Sequence, residues 1–257
     1  MPDRAFGRLA HDPAALARVP PASPELFAAM RAPAPLDRRD LPFQPRLLHN
    51  DTLPVCSAAG LLNYALAVEV LNTGGDLAIA DDVELPFYAG CAGCAAAPEA
   101  IAATDGVQLI TALRRFGRTG FPIGALGPLT GDVARIDVSD LAAVAIALAR
   151  SGAFYAGIDL YQRDMDTPPS VPWDDDGSDH GALVGGHCVV LWDYLALGDT
   201  NTGRLATWGD LQPFTWRWWK ARAREAYELV LPMTQRADGT GINRTALRAA
   251  NVDWLAM

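Results

Sequence analysis

The order of textures along the chain constrains its fold more than any single motif does. Residues 56 to about 71, CSAAGLLNYALAVEVL, carry Leu61, Leu62, Ala65, Leu66 and Val70 on one broad apolar face, which predicts a helix. NTGGD at 72–76 ends it. A short helix is expected over 98–103. A firmer one lies in TDGVQLITALRRFGRTG, with Asp105 and Gln108 at capping-box spacing and Gly117 as its stop. A third lies in VSDLAAVAIALARSG, with Ser139 as N-cap and Gly152 just past its end. The pattern then changes. AFYAGIDL (153–160), HCVVLWDYL (187–195), GRLATWG (203–209) and AYELVLP (226–232) are short and rich in β-branched and aromatic residues, as strands are. TWRWWKARA predicts a short helix before the last of them.

Helices first and antiparallel strands later predict an α+β architecture with two lobes. The boundaries read as a helical lobe over about 49–150 and a β lobe over about 151–235, together one domain at 49–235. A Pro/Ala-rich arm at 1–48 precedes it and a C-terminal extension at 236–257 follows. The arm reads either as an extended strap over the body, with a helical turn at Pro24 to Met30, or as a disordered tail.

Composition narrows the function. The 257 residues carry a net charge of -9, which argues against a general nucleic-acid binder, because phosphate contacts need a basic surface. No apolar run approaches the roughly 18 residues needed to span a bilayer, so a membrane partner is not expected. The N-terminus lacks an apolar signal region, and four cysteines make no disulfide framework. The expected setting is a reducing cytoplasm.

The residue of most chemical interest is Cys56, where the polar turn HNDTLPV meets the apolar run. A thiol at a helix N-terminus feels the positive end of the macrodipole, which favours thiolate. A nucleophilic thiolate also needs an imidazole to shuttle its proton. Of the four histidines, at 11, 49, 180 and 187, His187 opens a strand after a double glycine and follows Cys56 by 131 residues (56 to 187). That is within the roughly 130–150 residues typical of a papain-type Cys-then-His order. The alternative is that Cys56 is a small buried hydrophobe and His187 a satisfied strand residue.

Four local patterns carry a family resemblance. NDTLPVCSAAG, TDGVQLITALRRFGRTGF, GGHCVVLWDY and TWGDLQPFTWRWWKARAREAYELVL occur in the order found in papain-like cysteine peptidases. Within that group they resemble a divergent phage and bacterial set. The resemblance spans about residues 40–232 and implies a papain-like fold, in which Cys56 leads a helical lobe and His187 sits in a β lobe. It implies hydrolysis of a peptide or related amide, with a peptide or protein as partner and no cofactor or metal. It also implies that Asn50, six residues before Cys56, donates to the oxyanion where such enzymes place a Gln. An Asx-turn is the other reading of Asn50. The position that matches the family's His-orienting Asn is Ala206, with Thr207, Asp193 and Asn201 as substitutes. That departure supports a second implication, a non-catalytic structural or binding protein of a phage particle, located in the virion and contacting neighbouring subunits.

Other motifs are less pointed. Cys91 and Cys94 form a lone C-x-x-C, read as free thiols or a local disulfide, with metal or redox roles as alternatives. Cys188, next to His187, should face the opposite side of its strand and lie in the core. The acidic stretch DMDTPPSVPWDDDGSDHG reads as a solvated loop, with Trp173 over the cleft mouth.

Overall fold

The computed structural model describes residues 5–28, 31, 35–123, 127–234 and 241–256. After a short helix, α1 (Pro13–Leu16), the helical lobe holds α2 (Cys56–Thr73), α3 (Glu84–Ala92), α4 (Pro98–Ala102) and α5 (Leu109–Arg118). A minimal hairpin, β1 (Phe121–Pro122) and β2 (Pro128–Leu129), follows. The remaining elements are β3 (Asp132–Ile136), α6 (Leu141–Ser151), β4 (Phe154–Tyr161), α7 (Gln162–Asp166), β5 (Leu183–Tyr194), β6 (Thr202–Thr207), β7 (Asp210–Thr215), α8 (Trp216–Arg222), β8 (Ala223–Val230) and α9 (Arg244–Ala256). The architecture is α+β, as the order of textures predicts. One antiparallel sheet of six strands runs in the order β3-β8-β4-β5-β6-β7.

The helix α2 departs from the one-faced pattern: every residue from Cys56 to Val68 is buried. A helix enclosed on all sides needs no polar face, and this one lies between the sheet and α3 and α5. The chain leaves it through Gly74 in the left-handed region, whose N–H bonds to the Val70 carbonyl. Strand alternation divides the core. Cys188, Val190 and Trp192 of β5 face α2, while Val189 and Leu191 join Phe154, Phe214 and the Trp216, Trp218 and Trp219 cluster on the other face. The sheet is therefore buried on both sides.

Several local expectations shift. α5 begins at Leu109, after an N-cap at Gln108 that makes no side-chain bond, and Gly117 lies inside it. The Asp105 start fails because Val107 spends its backbone on another segment, described below. The N-cap of α6 is Asp140, which accepts from the Ala143 N–H, one residue past Ser139. The acidic loop is tied down rather than free in solvent: Asp174 pairs with Arg217, Asp175 with Arg222, and Asp176 with Arg163. Of the proposed turn at Pro24 to Met30, the last two residues lie outside the described ones.

Glu228 of β8 is buried beside Arg150, whose Nε donates to it at 2.7 Å, with the Ser151 hydroxyl as a second donor. Arg150 also lies over the Phe27 ring at 4.0 Å, which ties the N-terminal segment to this pair. Removing the guanidinium leaves a buried carboxylate uncompensated. Arg150→Ala is therefore expected to lower stability by about 3–5 kcal/mol. Denaturant unfolding measures this, and a loss of under about 1 kcal/mol would contradict it.

Candidate active site

Cys56 is the first residue of α2, and Val55 caps the helix without a side-chain bond. The thiol therefore stands at the positive end of the helix dipole, where no capping side chain takes up the first-turn N–H groups. Cys56 is fully buried, with its Sγ 3.4 Å from Cys188 Sγ. Cys188 is core, as expected, yet it is not remote from the candidate nucleophile. Burial would push the Cys56 thiol up, but hydrogen bonds from Cys188 and His187, together with the imidazole charge, hold it well below its ordinary value. Cys188 moves the opposite way, raised by burial and by the neighbouring sulfur.

His187 sits near the start of β5, paired with Ile158 of β4, and is fully buried. Its Nε2 is 2.8 Å from Thr207 Oγ1. Nδ1 is buried and makes no hydrogen bond. Among the three substitutes for the missing Asn, the structure brings Thr207 to the ring. Asp193 is committed to Arg204, and Asn201 donates to the Leu197 carbonyl. Strand alternation explains why Thr207, and not Ala206 at the position that matches the family's Asn, reaches the ring. Val190 pairs with Ala206, and both face α2, so the next residue, Thr207, is the one on the His187 side.

Thr207 and Asp210 close a two-residue hairpin through Trp208 and Gly209, both with positive φ (45° and 80°). Such a turn suits Asn-Gly and strains a tryptophan by on the order of 1–3 kcal/mol. The strain places the indole flat on His187, at 4.1 Å between centroids and 17° between planes. Trp173 lies behind it, 6.5 Å from Trp208 and 4.9 Å from Trp218, with Nε1 on the Asp164 carbonyl. It is core backing for the shield rather than a cover of the cleft mouth.

Asn50 is buried, and its Oδ1 has no partner, so no Asx-turn forms. The turn that delivers it carries Leu48 and His49 at φ of 51° and 54°. His49 itself pairs with Glu84 at 2.6 Å and Asp82 at 3.4 Å. These three bring ligand atoms within 4.8 Å of one another and are the group among the described residues that could hold a metal ion. Cys91 and Cys94 are free thiols at the end of α3, and burial pushes Cys91 up to about 12, a poor thiolate.

Sequence reasoning allowed a strap over the body but did not place it over the candidate site. Residues 5–9 run between the lobes across the Cys56–His187 pair. The Ala5 N–H bonds to the Asp51 carbonyl, and the Arg8 N–H to that of Gly186. Val107 donates to Gly7 and accepts from Leu9. Phe6 stands edge-on to His187 at 6.3 Å and to Trp208 at 6.1 Å. Gly7 is fitted so closely that a Cβ there would lie 1.8 Å from the Pro54 carbonyl oxygen. The only available signal was that glycine, in FGRLA, within an arm otherwise rich in Pro and Ala.

No family model matches the chain, and no curated protein matches it in sequence. Solved structures do match in fold. Xylellain, a cysteine protease from Xylella fastidiosa, superposes with a TM-score of 0.60 at 13% identity, over 89% of this chain and 96% of that one. The procathepsin B S9 of Trypanosoma congolense gives 0.60 at 13%, over 89% and 87%. Digestive procathepsin L 3 of the Tenebrio molitor larval midgut gives 0.59 at 13%, over 89% and 76%. The chain has the α+β fold of papain-like cysteine proteases; at such identity the likeness speaks for the fold alone.

Proposed function

We propose that this chain is a thiol hydrolase that cleaves a peptide or related amide through Cys56 and His187. What supports the reading is a buried thiol at a helix N-terminus that the neighbouring imidazole lowers, together with a hydroxyl 2.8 Å from the imidazole's Nε2. His187 takes the Cys56 proton, which leaves a thiolate. The thiolate attacks the carbonyl carbon, and the oxyanion takes hydrogen bonds from the Cys56 N–H and the Asn50 amide. Imidazolium gives its proton to the departing amine as the C–N bond breaks, leaving an acyl thioester on Cys56. Water, deprotonated by the same imidazole, then hydrolyses the thioester and restores the thiol. Residues 5–9 must leave before substrate enters.

Thr207 is a positioning residue in this scheme. Its hydroxyl accepts from Nε2–H and so leaves Nδ1 to take and return the Cys56 proton. Thr207→Ala is expected to lower kcat/KM by on the order of 10²-fold and to shift the pH profile of the rate, with Thr207→Ser restoring most of both. An unchanged pH profile in Thr207→Ala would remove it from the scheme.

A second reading is a non-catalytic papain-fold structural or binding protein, such as a component of a phage particle. The complete burial of Cys56 and His187 beneath the arm favours it, as does a hydroxyl where the fold usually presents an amide. The two readings separate in a quench experiment on Gly7→Ala, a change that displaces the cover. Incubation with a fluorogenic peptide library followed by intact-mass measurement should trap an acyl adduct that maps to Cys56. No turnover and no adduct across the library would favour the structural reading.

A further inference from the structure

The covering segment does more than block the cleft, because Arg8 fills a pocket built for its head group. Its side chain is 3% exposed. Nη1 donates to Glu225 Oε1 at 3.2 Å, Nε to the Ile158 carbonyl at 3.2 Å, and Nη2 to Asp159 Oδ1. The acceptors are themselves held in place. The second oxygen of Glu225 accepts from the Tyr227 hydroxyl at 2.6 Å, and that of Asp159 from Arg224 Nε at 2.7 Å. The pocket is hollowed by a missing side chain: a Cβ on Gly157 would lie 2.7 Å from Arg8 Cδ and 2.9 Å from Glu225 Cγ.

Position and charge make this pocket part of the cleft. The Arg8 N–H is bonded to the carbonyl of Gly186, the residue before His187. A chain lying here therefore delivers one side chain into the pocket from beside the reacting pair. With Arg8 in place, two carboxylates face two guanidiniums. Without it, Glu225, whose side chain is fully buried, loses its cation, and a buried carboxylate left unpaired is strongly unfavourable. The vacated pocket therefore selects a cation. Acceptors on three sides suit the planar fork of a guanidinium better than the point charge of an ammonium.

We propose that the pocket of Asp159, Glu225 and Gly157 is a subsite for an arginine side chain of the substrate, and that Arg8 is its intramolecular occupant. The inference rests on the cleft being a substrate groove, and its test separates the two ideas. The probe is acetyl-arginine methylamide, with the lysine and leucine analogues as controls, added to full-length Arg8→Ala. Thermal unfolding should show the arginine compound raising the melting temperature, with affinity at least tenfold above the lysine analogue and more above leucine. Adding Glu225→Gln to Arg8→Ala should erase that preference. Equal affinity for arginine and leucine compounds would overturn the proposal, even if Arg8→Ala cleaves peptides. Arginine-selective binding without cleavage would uphold the pocket while the hydrolase reading fails. If Arg8→Ala does not fold, Arg8→Lys keeps the charge with a weaker grip. There the arginine compound should displace the segment and speed Cys56 alkylation at least tenfold over the leucine compound; equal rates would overturn the proposal.

Discussion

Cys56→Ala is expected to abolish peptide turnover, with a loss on the order of 10⁴-fold or more, while the fold is retained. The size follows from the chemistry assigned to the sulfur: without it no thioester forms, and what remains is binding and oxyanion stabilisation alone. The fold should survive because Cys56 contributes a small apolar volume to a core that includes Cys188, Leu61 and Tyr155. Turnover is measured in the Gly7→Ala background, and unfolding in both. Activity that persists within tenfold of the parent would mean that another group carries the reaction. Asn50→Ala is milder in the same scheme, because the backbone N–H of Cys56 remains as an oxyanion donor.

Gly7→Ala is expected to open the site and to raise Cys56 alkylation by iodoacetamide at least tenfold. A methyl group at residue 7 would overlap the Pro54 carbonyl oxygen, a backbone atom that precedes the nucleophile by two residues and cannot swing aside. The segment has to lift, and with it go the Phe6 edge over His187 and the backbone bonds to Val107 and Gly186. The buried Arg8 contacts oppose this, so the segment is expected to spend part of its time docked. An unchanged alkylation rate, with the chain folded, would mean that residues 5–9 do not control access to the sulfur.

The sequence showed the parts of the site that depend on local chemistry. Cys56 stood out because a Pro-bearing turn gives way to an apolar run there, and His187 because a double glycine introduces a strand. Thr207 was one candidate among three. Choosing it required the pairing of β5 with β6, which decides whether residue 206 or 207 shares a face with the imidazole. Strand β7 went unread because DLQPF contains a proline, which is tolerated there since β7 is the edge of the sheet. The arm was the least legible. FGRLA has no periodicity, and its conformation comes from neighbours more than a hundred positions away, such as Gly186, Asp159 and Glu225. Its docking also explains the missed start of α5, since Val107 gives both its N–H and its carbonyl to this segment.

The central claim is that Cys56 and His187 form a thiolate–imidazolium pair. The most direct test is the pH dependence of Cys56 alkylation in Gly7→Ala, with and without His187→Ala. A lowered thiol pKa means that thiolate persists as pH falls below the ordinary value of 9.0. The rate should therefore fall only at a pH well below that value, and His187→Ala should move the fall back toward the ordinary thiol range. A profile that already drops near 9 and ignores the loss of His187 would contradict the account.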